Sequence, residues 1–266
     1  MRLAATLISK TAANLMINGS EGWVRGRVGG VGVWVYRERP AGVAGATVWT
    51  STAPDRPAPT RVLPDGCLDL LWSSRAGLLV AGPDRTAFLS TSAPGERWVG
   101  LRLPPGVGPA VLGVPAVELR DQRVPLGALW GDRAVAALAD RAGSDAEAVL
   151  VEVVAGRLRD AGGPDPLGAR VAAALAAGAT VGATAAEVGL DPRALLRRSR
   201  HLFGYGPKTL ARILRLRRAL ALARSGVPLA EVAARTGYAD QAHLTRDTRA
   251  LTGLPPTPLL PPPSPP

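Results

Sequence analysis

The chain has 266 residues, enough for one large domain or two ordinary ones, and a formal net charge of +11. Its single cysteine, Cys67, excludes an intramolecular disulfide framework and a multi-cysteine zinc site. The two histidines, His201 and His243, both fall late, which leaves the first 200 residues without a histidine for a metal or catalytic set.

Residues 1–30 include the Gly-rich run VRGRVGGVG and carry no helical period, so they are expected to be a disordered leader or to follow a start codon placed too far upstream. The opening MRLAATLISKTAANLMING is interrupted by Lys10 and Asn14 and makes a poor signal peptide. No apolar run reaches the ~18 residues of a membrane span, so no membrane partner and a cytoplasmic location are expected.

Residues 31–130 read as short β-like runs broken by Gly and Pro: GVWVYRE, ATVWTST, CLDLLWS, GLLVAG, TAFLST and RWVGLRL. Such spacing predicts an all-β sandwich or barrel for sensing or dimerisation. All six tryptophans precede residue 131 and are expected in the core, although a small barrel rich in aromatics can also enclose a pocket. Pro64-Asp65-Gly66 is a turn signal, after which Leu68, Leu70 and Trp72 alternate with Asp69 and Leu71. Asp65, Gly66, Cys67, Asp69 and Trp72 are the candidate effector or turn site. The two carboxylates suit a cationic or hydroxylated ligand, while Cys67 reads as a small buried hydrophobe.

Residues 131–166 change period. Asp132 to Asp160 is Ala-rich and predicts two helices broken around Gly143-Ser144, followed by the linker AGGPDP. Residues 167–260 are basic, with 14 Lys and Arg against 5 Asp and Glu from Leu167 to Leu254. An excess confined to one segment points to a polyanionic partner, nucleic acid before membrane. The Pro-rich tail, residues 261–266, is expected to be extended and disordered.

The basic segment says one thing twice. TAAEVGLDPRALLRRSRHLF (184–203) and EVAARTGYADQAHLTRDTRAL (231–251) overlay with Ala185 on Ala233, Gly189 on Gly237, Leu190 on Tyr238 and Leu196 on Leu244. A small residue where two helices cross, then a glycine turn, is the pattern of a helix-turn-helix, with Gly189 and Gly237 as the turns. Between the copies runs PKTLARILRLRRALALARS, a predicted helix of roughly 28 Å at ~1.5 Å per residue. That length approaches the ~34 Å between successive major-groove segments on one face of B-DNA.

In a helix-turn-helix the N-terminal residues of the second helix face base edges. Arg193 and Arg197 in the first unit, and Asp240, Gln241, His243, Thr245 and Arg246 in the second, are therefore the base-reading candidates. Gln pairs with adenine and Arg with guanine by two-point contacts. Arg198, Arg200, Lys208 and Arg249 are the phosphate-contacting candidates, supplying position and salt-sensitive affinity rather than sequence preference.

Phe203 to Lys208 (FGYGPK), Gly237 to Arg246 (GYADQAHLTR) and Leu251 to Pro255 (LTGLP) resemble the corresponding segments of the DNA-binding domain of AraC/XylS-type transcriptional regulators. The resemblance implies an all-helical domain that meets double-stranded promoter DNA at two adjacent major-groove segments. Where that family usually carries a core Phe late in each recognition helix, this chain has Ser199 and Thr248, and a C-terminal domain of marginal stability is expected. Arg61 to Trp72 with Val80 to Asp84 resemble an uncharacterised cupin-like domain found before such readers.

The expected fold is α+β: a β-rich, cupin-like N-terminal barrel or sandwich, a helical connector, and an all-α domain with two helix-turn-helix motifs on one long helix. The expected function is sequence-specific transcriptional regulation in a bacterium. Promoter DNA is the principal partner; RNA polymerase, a small-molecule effector and a homodimer are further candidates. No cofactor, no metal site and no catalytic residue are expected. A non-specific architectural DNA binder and a cupin-type metalloenzyme are the alternatives. The first leaves Asp240 and Gln241 unexplained, and the second lacks histidine ligands.

Overall fold

The alternating segments of the N-terminal half form two sheets. In the computed structural model, which describes residues 14–16, 35–56 and 58–260, the larger sheet has six antiparallel strands. These are β2 (Val35–Pro40), β3 (Thr47–Thr52), β8 (Arg97–Leu103), β5 (Leu68–Ser73), β6 (Gly77–Ala81) and β9 (Arg123–Pro125), in that spatial order. The smaller sheet joins β1 (Asn14–Met16), parallel, to β4 (Ala58–Val62), which pairs antiparallel with β7 (Phe88–Ser92). Strand β1 falls inside the segment read as a leader; the rest of residues 1–30 and the expected tail, 261–266, lie outside the described residues.

The period of two gives the large sheet two different faces. Register pairs Leu70 with Leu101 and Leu68 with Leu103, and these side chains are buried with Val48, Trp72, Leu78 and Val80. The covering layer is α3 (Asp132–Asp160), supported by α1 (Gly108–Leu112) and α2 (Gly127–Trp130), which buries Val149, Leu150, Val154 and Leu158 against that face. Fully burying each such aliphatic contributes about 1.5–3 kcal/mol. The predicted break in this segment is present two residues past Gly143: Asp145 leaves helical geometry (φ −146°, ψ 82°) and its Oδ1 accepts from the Ala148 N–H at 3.0 Å, capping the second half.

The opposite face carries Trp49, Asp69, Leu71, Leu79, Trp98 and Arg102, which face a cavity shared with β4 and β7. Gly100 lies opposite Trp49 in register, and a Cβ there would fall 2.2 Å from the indole, so only glycine lets that ring lie flat on β8.

The C-terminal half is helical: α4 (Pro166–Ala177), α5 (Val181–Glu187), α6 (Pro192–Phe203), α7 (Pro207–Arg224), α8 (Leu229–Thr236) and α9 (Gln241–Thr252). Starts and stops follow local chemistry. Asp165, Thr180, Asp191 and Asp240 accept backbone N–H groups at four N-termini, and left-handed Gly178, Gly204, Gly237 and Gly253 end four helices. Helix α7 is the shared spine. Its Leu210, Ile213 and Leu214 join Val171, Leu195, Leu202 and Phe203 in one core, while Ala219 and Ala223 join Val232, Tyr238 and Leu244 in the next.

The two halves dock through named contacts. Leu63 is buried in the helical core, and the Ala87 N–H donates to Leu251 O at 2.7 Å. Arg61 Nη1 donates to Thr252 O at 2.7 Å, and Arg217 Nη1 to Asp65 O at 3.3 Å. Backbones meet at Gly106 and Gly168, where a Cβ on Gly106 would lie 2.9 Å from the Gly168 Cα.

Candidate nucleic-acid interface and a cavity between the sheets

Each helix-turn-helix is present with its predicted turn. Gly189 (φ +71°) and Gly237 (φ +78°) adopt the left-handed conformation between α5 and α6 and between α8 and α9. Behind the turns, Ala185 and Ala233 are buried where the helices cross, as the overlay of the two copies implies.

The reading candidates divide by exposure. Arg193, Arg197, Gln241 and Arg246 are exposed, whereas His243 and Thr245 are half-buried. Asp240 is exposed but occupied, since its Oδ1 accepts from the His243 N–H at 2.6 Å as the N-cap of α9. His243 is also turned inward: Nδ1 accepts from the Ala239 N–H at 3.3 Å, and the ring meets Tyr238 edge to face at 5.1 Å. Asp191 caps α6 in the same way, and the N–H groups of Ala194 and Arg193 hold its carboxyl below the ordinary range.

Among the phosphate candidates Arg200 and Arg249 are exposed, and Arg198 is paired with Asp165, the cap of α4. Lys208 is exposed but borders the groove between the halves, beside Asp84, Asp121 and Arg212.

Helix α9 is anchored by a group that the sequence pattern did not single out. Asp247, 6% exposed, is paired with Arg212 and lies 3.3 Å from Arg215 Nη2, both on α7. Tyr238 Oη donates at 3.0 Å to Oδ2, the oxygen that Arg215 also approaches, and Arg215 stacks over the Tyr238 ring at 4.2 Å. These two arginines thereby bind α9 to α7. Burial, with Asp247 adjoining, pushes the Tyr238 hydroxyl well above its usual range.

The cavity between the sheets measures about 250 Å³. Of the effector-site candidates, Asp65, Cys67 and Asp69 line it. Trp72 does not: the alternation that brings Asp69 to the cavity puts Trp72 on the opposite face, in the core under α3. Gly66 (φ +84°) also points elsewhere, with a Cβ there meeting Leu210 of α7 at 3.0 Å. Sequence reasoning missed Trp49, Thr60, Arg102 and Arg123 in this wall. Arg102 falls in the β-like run RWVGLRL, but the register that sets it opposite Asp69 is a long-range pairing.

Residues 184–260 match the family model of a helix-turn-helix domain, and residues 46–125 match that of a domain of unknown function. Among curated proteins, none matches the chain. Of solved structures, the C-terminal domain of AraT, a response regulator from Geobacillus stearothermophilus, is 22% identical, covering 36% of this chain and 84% of its own with a TM-score of 0.33. A probable AraC family transcriptional regulator from Rhodopseudomonas palustris is 23% identical, covering 35% and 93% with a TM-score of 0.32. ToxT from Vibrio cholerae, in a structure with an unsaturated fatty acid bound, is 10% identical, covering 88% and 96% with a TM-score of 0.42. This chain thus carries a helix-turn-helix domain over residues 184–260, preceded by a β-rich segment that matches the domain of unknown function. Among the described residues, no helix is long and apolar enough to cross a membrane.

Proposed function

We propose that the protein is a sequence-specific transcriptional regulator that sets α6 and α9 into adjacent major-groove segments of promoter DNA. In this reading a small molecule held by the N-terminal domain controls it, and it acts in the cytoplasm on RNA polymerase rather than as an enzyme. The observation that carries the reading is the disposition of side chains on the two helices. Arg193 and Arg197 on α6, and Gln241 and Arg246 on α9, are exposed while the rear of each helix is fixed to α7. At 18 residues α7 spans roughly 27 Å at ~1.5 Å per residue, which suits readers about one DNA turn apart.

The copies divide the work. In α6 Arg193, Arg197 and Arg200 supply exposed cations, suited to phosphate as well as bases. In α9 Gln241 and Arg246 are the base readers, and Asp240 and His243 serve mainly to form and hold the helix end. Selection from a randomised duplex library tests this. The expected result is a site of two elements with centres ~10–10.5 base pairs apart. Equal retention of all sequences would favour the architectural alternative. Arg246→Ala should relax the preference at one base pair by about 1–3 kcal/mol, whereas Lys208→Ala should weaken all sequences alike and reduce the salt slope by about 1.

A further inference from the structure

The two copies of the helix-turn-helix differ by one residue at the turn. Matched at their glycines, they put Leu196 on Leu244, which is buried. Only Leu190 separates Gly189 from Asp191, the N-cap of α6, whereas Tyr238 and Ala239 separate Gly237 from Asp240, the N-cap of α9. Counted from the caps, Leu195 falls on Leu244, at 0% and 1% exposure, and Arg197 falls on Arg246, both exposed. Leu196 then falls on Thr245, in the stretch from which the second helix of such a unit reaches bases.

Leu196 is 36% exposed, the one large apolar side chain left so among the described residues of the helical half. Single exposed leucines are common and most need no explanation. This one differs in its setting. Arg193 and Arg200, three residues before it and four after, share its face of α6, and Arg197 follows it; all three are exposed. One Leu196 methyl lies beside the start of α7, where a Cβ on Gly206 would come within 2.9 Å of Cδ1. The side chain thus stands at the edge of the buried stripe, on a cationic face that suits a polyanion rather than an apolar protein surface.

We infer that Leu196 is a specificity-determining residue that reads the 5-methyl group of a thymine in the major-groove segment entered by α6. This rests on the reading of α6 as a recognition helix, and names what one of its positions reads. Leucine neither donates nor accepts a hydrogen bond. Set against a guanine, adenine or cytosine edge, it would desolvate polar groups without replacing their partners. Thymine alone offers a methyl group in the major groove. The flanking arginines remain suited to phosphate and guanine, so Leu196 adds one A·T requirement to that element.

Selection from a randomised duplex library by the full chain should return an A·T pair at one position that Leu196→Ala leaves unspecified, with the rest of the site retained. Leu196→Met, apolar and similar in size, should keep the preference. Leu196→Gln, which keeps the length without the apolar end, should lose it as Leu196→Ala does, so the test does not hang on the folding of one variant. Replacing that thymine by deoxyuridine removes only the methyl group. The unmodified chain should then bind about fourfold more weakly, as burial of one such group implies, and Leu196→Ala should lose nothing further.

A packing role alone would weaken Leu196→Ala on all duplexes alike and leave the deoxyuridine penalty in place, which overturns the assignment. A selected site unchanged in Leu196→Ala, or a deoxyuridine duplex bound by the unmodified chain as tightly as the thymine one, overturns it too. These outcomes leave a two-element site standing and remove only the thymine contact. Equal retention of all sequences by the unmodified chain would instead sink the regulator reading itself.

Discussion

The residues that hold the reader together are polar ones buried in helices. Asp247 is ringed by Arg212, Arg215 and Tyr238, and removing it leaves two cations facing each other beside an aromatic ring. Asp247→Ala should cost about 3 kcal/mol, the low end of the ~3–5 kcal/mol for breaking a buried pair, because Arg212 is partly exposed. Denaturant unfolding measures that loss, and the second element of the operator should lose sequence preference with it. Ser199 and Thr248 are both fully buried, but they differ in what their hydroxyls do. Thr248 Oγ1 donates to Leu244 O at 2.7 Å, as Thr184, Thr236 and Thr252 do to their own i−4 carbonyls, whereas Ser199 Oγ has no partner. Ser199→Ala should therefore stabilise by up to about 1 kcal/mol, relieving a desolvated hydroxyl. Destabilisation by that change would mean that the hydroxyl is bonded after all. Asp69 gives a pH signature of its own. Its folded value of about 6 lies above the ~3.9 of an unfolded chain, so its contribution to stability is complete below about pH 4 and is lost as pH rises through about 6. The urea midpoint of Asp69→Asn, relative to the unmodified chain, should rise over that window and level off above it.

At the scale of elements, the helices follow from short-range rules and the sheet does not. Asp-Pro at 191–192, Gly-Pro at 206–207, and the glycines at 204, 237 and 253 fix helix ends, because caps and left-handed stops are local. The break in α3 falls at Asp145, directly after Gly143-Ser144, where the carboxylate caps the Ala148 N–H of the second half. Strands were legible as runs, and their alternation was legible too, yet Trp72 was grouped with Asp69 although a period of two sends them to opposite faces. The cavity itself was half legible. Asp65, Cys67 and Asp69 stand next to a turn signal, but Trp49, Arg102 and Arg123 reach them only through strand pairings between β3, β8, β5, β6 and β9. The α9 cap is an element-scale test of the division between forming the helix and reading bases. Asp240→Asn keeps a capping oxygen and should retain both stability and operator preference, while Asp240→Ala should destabilise by about 1 kcal/mol. A changed base preference in Asp240→Asn would assign Asp240 to reading after all.

At the scale of the molecule, the sheet half and the helical half share a core, and in the proposed regulator that sharing is what would let one report on the other. Leu63 leaves the end of β4, lines the cavity and is 8% exposed within the helical core. Around it, Arg61 donates to Thr252 O, Ala87 N–H to Leu251 O, and Arg217 to Asp65 O, so the seam ties both α7 and the end of the second recognition helix to the loop over the cavity. Coupling of this kind requires that opening the seam cost enough to make the halves unfold together; a weak seam would let each melt alone and no signal would pass. Leu63→Ala removes buried aliphatic volume at the centre of the seam, a change that costs about 2–5 kcal/mol in a packed core, and Arg61→Ala removes the neighbouring hydrogen bond to Thr252. Together they should convert a single calorimetric unfolding transition into two. The recognition helices, whose own packing against α7 is untouched, should still select the same two-element site. A double variant that keeps one cooperative transition near the original midpoint would show that the halves are coupled elsewhere, through Gly106 against Gly168 or Arg120 on the Gly204 carbonyl. Loss of operator selection in a variant whose helical half remains folded would instead mean that the seam fixes the relative placement of α6 and α9, making the sheet domain part of the reader rather than its regulator.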